Sequence, residues 1–241
     1  MQGDQHRQHI SGQFNDELDA MKNHLLEMGG LVEQQLSQAI EALLTRNSGG
    51  AEAVIGRDEE VDALEMQIDA ECSRILARRQ PAASDLRLVL AVAKSITDLE
   101  RIGDEASKIA KQAIKLSEQA GFTGGAMELR ELGAHVSELL RHALDSFARL
   151  DVKRALEVML DDDAVDIEYD EAARSFVALM QEDSSSINAV LNLLWAVKGV
   201  ERIGDHATNI AEQVVYLVEG RDVRHMKPAE LRVLLAAEAA P

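Results

Sequence analysis

The chain has little of what cross-links, punctuates or stiffens a fold. Cys72 is its one cysteine, which excludes an internal disulfide and a four-cysteine zinc site; it lies inside a helical pattern and reads as a small core residue. Proline occurs three times in 241 residues, at Pro81, Pro228 and Pro241, and none interrupts a long apolar-periodic run. Aromatic residues make up 3%, against 46% hydrophobic residues, with Ala, Leu, Glu and Val dominant. That is the composition of long helices packed by aliphatic side chains, not of sheets. Apolar runs such as 88–93 fall far short of the ~20 residues a bilayer span requires. The N-terminus has no charged-then-apolar signal pattern. The expectation is a soluble cytoplasmic chain that reaches a membrane only through a partner. Positive charge is scarce too: 25 Lys and Arg face 43 Asp and Glu, a net charge of −18. No basic footprint for nucleic acid is visible, whereas cation binding suits the balance.

What the chain does have is an internal duplication. Residues 100–110, from Glu100-Arg101-Ile102-Gly103-Asp104 onward, return at 201–211 with eight of eleven positions identical, a shift of 101. Upstream the shift is 104. It pairs Gly29 with Gly133, Val32 with Val136, Leu36 with Leu140, Asp58 with Asp162 and Asp62 with Asp166. The difference places about three extra residues in the first copy, near Pro81. A repeat of this length means one structural unit used twice.

Each copy reads as three helices. In the first they span 14–46, 51–78 and from Ser84 or Asp85, as cap, to 119. Asn47-Ser48-Gly49-Gly50 supplies the first turn, and residues 121–125 the linker between copies. In the second copy the helices span 126–150, 152–181 and 187–220. The fold class is therefore all-α, with two tandem pseudo-symmetric three-helix bundles at 14–120 and 126–220. A tail at 221–241 carries a short helix after Pro228.

Residues four apart share a helix face, so Glu100 and Asp104 point together, as do Glu201 and Asp205. The second helix of each copy adds a matching pair, Asp58/Asp62 and Asp162/Asp166. Such pairs repel, and a hard cation bound through carboxylate oxygens offsets that. Taken singly each pair also reads as a solvated face; recurrence in both copies favours metal ligation. Gly103 and Gly204 sit mid-helix beside the motif Asp, where a missing side chain leaves room for an ion or for close helix approach. Glu65 and Asp69 extend the first acidic face, but Tyr169 stands opposite Glu65, so both are left outside the site. Asn209 could lend an amide oxygen; its counterpart Lys108 could not. His206 points away from Asp205 and reads as a solvent or interface residue. His24, His135 and His142 have no partner in ligand register.

No Glu-x-x-His of the di-iron bundles occurs, nor Gly-x-Ser-x-Gly, a phosphate-binding Gly-Lys-Ser/Thr loop or His-Glu-x-x-His. A non-enzymatic role is expected.

The twin segments 100–104 and 201–210 closely resemble the signatures of the PhoU family. Residues 77–87, Ala-Arg-Arg-Gln-Pro-Ala-Ala-Ser-Asp-Leu-Arg, and 222–226 look like further PhoU segments, so the resemblance runs from about 14 to 226. It implies duplicated three-helix bundles carrying multinuclear clusters of iron, manganese, zinc or magnesium. Asp58, Asp62, Glu100 and Asp104 would hold one cluster, and Asp162, Asp166, Glu201 and Asp205 the other. It also implies a negative regulator of the phosphate-starvation response, acting with a phosphate-sensing histidine kinase and the ATPase of the ABC phosphate transporter. Where the family has an acidic-Pro turn after the fifth helix, this chain has residues 181–186, Gln-Glu-Asp-Ser-Ser-Ser, implying a looser connection. The basic turn Arg78-Arg79, with Arg87, is a candidate partner contact and equally a solvated helix end. Long helices with apolar flanks suit a homodimer. The rival reading is a metal-storage or buffering protein without a signalling partner; a third is a helical scaffold whose acidic faces stay empty.

Overall fold

The computed structural model describes residues 2–119 and 124–238, with side chains from residue 12 onward. All regular structure among the described residues is helical. The first copy comprises α1 (Gln2–Thr45), α2 (Ser48–Gly56), α3 (Asp58–Arg79) and α4 (Ala83–Ser117). The second comprises α5 (Ala126–Arg149), α6 (Val152–Glu182) and α7 (Ile187–Glu219), and α8 (Pro228–Glu238) packs back on α6.

The first inter-helix turn recurs atom for atom. Arg46 and Leu150 both adopt left-handed φ, at 53° and 56°. The next residue in each case, Asn47 or Asp151, donates its N–H to the carbonyl five residues back, at 2.9 Å. Each then caps the following helix with its side-chain oxygen, Asn47 accepting from Gly50 N and Asp151 from Arg154 N, both at 3.0 Å. Ser48, Gly49 and Gly50 are thus the first turn of α2 rather than a loop.

The expected helix over 51–78 is broken at Arg57, whereas α6 runs unbroken. Gly56 stands where the second copy has Leu160, so the first copy lacks both helix propensity and an apolar anchor there. The α4 cap also differs: Ala82 precedes the helix without a side-chain cap, and Ser84 and Asp85 lie inside the first turn. α1 begins at Gln2 instead of residue 14. Most of the expected linker, 121–123, lies outside the described residues; Gly125 ends it in the left-handed region, at φ 76°. The turn after α6 is tied rather than loose. Asp183 accepts from the Ser185 N–H at 2.9 Å, and Ser186, buried, donates to the Asp183 carbonyl at 2.7 Å.

One continuous apolar core serves both copies. Leu25, Val32, Leu36, Ile40 and Leu43 of the anticipated α1 stripe are all buried, as are Val89, Ile96, Leu99, Ala106, Ala110 and Ala113 of α4. Cys72 is buried against Met21, and burial pushes its thiol up to about 12. The copies join along α1–α5 and α4–α7. At the first junction the pseudo-twofold is literal: a Cβ on Gly29 would meet Leu144 Cδ2 at 2.7 Å, and one on Gly133 would meet Ile40 Cδ1 at 2.9 Å. Both pairs are related by the shift of 104. Glycine here permits close helix approach.

Gly29→Val should therefore destabilise the fold by about 1–3 kcal/mol through overpacking. Adding Leu144→Ala should restore part of that loss in a double-mutant cycle of thermal unfolding. Equal, additive losses would mean that the two residues do not share the contact.

Candidate metal centres and the seam between them

Each repeated Glu-Arg-Ile-Gly-Asp segment lies mid-helix on α4 or α7, facing the preceding helix of its own copy. Its glycine explains the approach. A Cβ on Gly103 would lie 3.4 Å from Val61 Cγ1, and one on Gly204 would lie 3.2 Å from Val165 Cγ1. Val61 and Val165 sit just before Asp62 and Asp166, so the tight crossing sets the acid pairs of the two helices side by side.

In the second copy Asp166, Glu201 and Asp205 each offer an oxygen within 4.8 Å of the others. Among the described residues this is the one set of three such groups that converges so closely. Glu201 is 7% exposed, and its Oε2 is buried without a hydrogen-bond partner. A buried carboxylate oxygen in that condition is costly unless a cation or proton reaches it. Asp162 lies outside the trio and accepts from Thr208 Oγ1 at 3.0 Å; burial, with repulsion from Asp205, Asp166 and Asp163, raises it to about 6 against the lowering effect of that hydrogen bond. Burial followed by Glu201 and Asp166 raises Asp205.

In the first copy Asp58, Asp62, Glu100 and Asp104 are neighbours but do not close to the same distance. Burial raises Asp58, with Asp104 and Asp62 adding to it. Burial also raises Glu100, with repulsion from Glu65, Asp104, Asp62 and Asp58. Glu65, set aside on sequence grounds, thus belongs to this acidic group. Gln35, fully buried, points its unpartnered Oε1 to within 3.1 Å of where a Gly103 Cβ would stand, with Asp58 Oδ1 at 3.5 Å from the same point. Two acceptors gathered with no donor between them again suit a cation.

The copies differ in what balances the acids. Lys198 Nζ sits 2.6 Å from Glu201 Oε1 and 4.9 Å from the Tyr169 ring centroid. The first copy has Thr97 and Glu65 in those places. Lys198 thus sits against the buried acid of the second group, whereas in the first copy Lys108 Nζ reaches the half-exposed Asp104 Oδ2 at 3.3 Å and the group carries one acid more. The i,i+3 spacing of Lys198 and Glu201 was the available signal. Ser107 matches Thr208 under the shift of 101 and lowers Asp58, but its hydroxyl falls outside hydrogen-bonding geometry.

Between the two acidic groups, α4 and α7 run antiparallel across a buried polar seam. Asp98 receives His206 Nδ1 at 2.9 Å and the Asn209 amide at 3.0 Å. Glu105, 4% exposed, receives Arg202 at 3.0 Å and Lys108 at 3.1 Å. His206 is therefore an interface residue, and the Asn209 amide is turned away from ligation. The positions equivalent to Asp98 and His206 are Gly199 and Glu105, and a Cβ on Gly199 would stand 3.5 Å from Glu105 Oε2. His24 pairs with Glu71, and His135 lies between Glu168 and Asp161 at 3.0 and 3.1 Å, which raises it. Of the basic turn, Arg78 is exposed. Arg79 forms a fork with Glu17 at 2.9 and 2.6 Å, and Arg87 Nε donates to the Leu217 carbonyl at 2.9 Å.

A duplicated all-α bundle with paired carboxylates on its inner helices defines the class to which comparison then gives a name. The PhoU domain matches residues 25–113 and again 129–214. A Pseudomonas aeruginosa protein described as a phosphate-specific transport system accessory protein PhoU homolog is 53% identical over 218 residues, 90% of each chain. The Escherichia coli phosphate-specific transport system accessory protein PhoU is 45% identical over 231 residues, 95% of each. The crystal structure of PhoU from P. aeruginosa superposes with a TM-score of 0.84, at 52% identity over 86% of this chain and all of that one. That of the phosphate transport system regulatory protein PhoU from Streptococcus pneumoniae gives 0.80, at 30% identity over 87% and 99%. The chain belongs to the PhoU family.

Glu212, further along α7, is raised to about 7, chiefly by burial, with Arg224 opposing. From the ordinary carboxylate range up to about 7 the folded chain then binds more protons than the unfolded one, so stability falls as pH rises through that window. Glu212→Gln should raise the thermal midpoint at pH 8 and leave it unchanged at pH 4. The same gain at both pH values would remove the titration as its cause.

Proposed function

We propose that this protein is a metal-binding cytoplasmic adaptor that holds the phosphate-starvation response off when phosphate is plentiful and tempers high-affinity phosphate uptake. Its partners in this reading are the phosphate-sensing histidine kinase and the ATPase of the ABC phosphate transporter. It is not an enzyme. Family membership supports the setting, since the relatives are named for phosphate-specific transport. No described helix is long and apolar enough to cross a membrane.

The observation that carries the metal is the buried, unpartnered Glu201 oxygen among Asp166 and Asp205. Glu201, Asp205, Asp166 and Asp162 would hold ions in the second copy. Asp58, Asp62, Glu100 and Asp104 would do so in the first, with Glu65 and Gln35 at hand. An all-oxygen, carboxylate-rich donor set fits a hard cation such as iron, manganese or magnesium better than a soft one, with zinc less favoured. Held by these residues, a cation would neutralise the gathered carboxylates and brace α3 against α4 and α6 against α7. The protein's own part is to hold four like-charged side chains within reach before any ion arrives.

Glu201→Ala with Asp205→Ala should lower the metal content of protein purified without chelator by about one centre's share, while helicity by circular dichroism is retained. The same variant, placed in a strain lacking the gene, should leave phosphate-starvation genes expressed in high phosphate. Unchanged metal content would remove the site, and full repression by the variant would uncouple the metal from regulation.

A further inference from the structure

Along α4, Lys94, Arg101, Lys108 and Lys115 recur at seven-residue spacing, and every one is exposed. That spacing keeps them in a single row on the helix surface. The shift of 101 carries the row onto Trp195, Arg202, Asn209 and Tyr216 of α7, which form its companion. Because α4 and α7 are antiparallel, the rows interleave: Lys94 Nζ lies 5.3 Å above the Tyr216 ring centroid, and Arg202 and Lys108 share Glu105. Lys108 and Arg202 are half exposed even while bridging it. Trp195, the chain's one tryptophan, is 67% exposed and shares its flank of α7 with the exposed Leu191 and Ile187. A chain of net charge −18 thus gathers five cations and two aromatic rings into one ridge. The anions beneath it, Asp98 and Glu105, are buried and already paired.

We propose that the α4–α7 ridge is the docking face for an acidic helix of a protein partner, with Trp195 as its apolar anchor. This rests on the adaptor reading above and names the surface through which it acts. The ridge is one helix pair wide, about 8–10 Å between axes, and its basic row runs about 30 Å, the footprint of one helix. The two carboxylate groups, one shared by α3 and α4 and the other by α6 and α7, lie on either side of it. A broad anionic surface such as a lipid bilayer would press against those carboxylates, whereas a single acidic rod lies between them. An exposed tryptophan in a row with exposed cations suits the aromatic and arginine anchors of protein interfaces.

The test is binding of the full-length protein to the purified transporter ATPase and to the purified cytoplasmic region of the kinase, at low and high salt. The variants are Lys94→Glu with Lys115→Glu, Trp195→Ala, and a control of equal charge change on other helices, Arg141→Glu with Lys153→Glu. The ridge reversal should weaken binding at least roughly tenfold, Trp195→Ala should shorten the complex's lifetime, and the control should bind as the wild type does. Wild-type binding should itself weaken as salt rises. Metal content and helicity should be unchanged in all variants. If the wild type binds but ridge reversal and control behave alike, the docking face is overturned and the adaptor reading stands. If the wild type binds neither protein, both fall. Ridge-dependent capture by anionic lipid vesicles, with protein binding unaffected, would assign the ridge to a membrane and also overturn the proposal.

Discussion

The contact on which the rest depends is the buried charge shared between α4 and α7. Asp98 and Glu105 are each more than nine-tenths buried; Asp98 finds both its partners on the other copy of the repeat, and Glu105 finds Arg202 there beside Lys108 of its own helix. Removing one member of such a pair strands the other, at a cost of several kcal/mol. The seam therefore fixes one register of α4 against α7. An apolar interface of alanines and valines would slide more readily. With that register set, the acid pairs of both copies come out on the two flanks of the seam.

Duplication supplied two equivalent sets of carboxylates, and the copies have since diverged in how they manage the repulsion. The second contains its own ammonium, Lys198, and its acids converge. The first has Glu65 where the second has Tyr169, a helix break at Arg57 just ahead of Asp58, and acids that stand apart. A cation entering the first copy meets more negative charge and a looser frame; one entering the second meets a gathered but partly neutralised one. Two candidate centres of unequal character follow from a single repeated plan. Arg79 and Arg87, which looked free in the sequence, are spent on holding α3 to α1 and α4 to α7.

The helices, their faces and the duplication were legible because they rest on periodicity, and periodicity is local. The Glu-x-x-x-Asp and Asp-x-x-x-Asp pairs were legible for the same reason. Contacts across the pseudo-twofold were not. Nothing in the sequence says that His206 meets Asp98 or that Gly199 clears a path for Glu105, since these depend on which helices touch and at what register. Glu65 was set aside because symmetry with Tyr169 was weighted above its own helix face. The break at Arg57 was hidden because an amphipathic pattern continues through it; only the contrast of Gly56 with Leu160 gave a hint. The three serines of the turn after α6 suggested slack, and Asp183 supplies the tie that proline supplies elsewhere.

Anomalous diffraction from crystals of the protein loaded with manganese, whose anomalous signal reports any site that takes a hard divalent cation, tests the central claim most directly. The account predicts peaks beside Glu201, Asp205 and Asp166 on α7 and α6, and beside Glu100, Asp104 and Asp58 on α4 and α3. Crystals of metal-replete protein with no anomalous density at either place would contradict it.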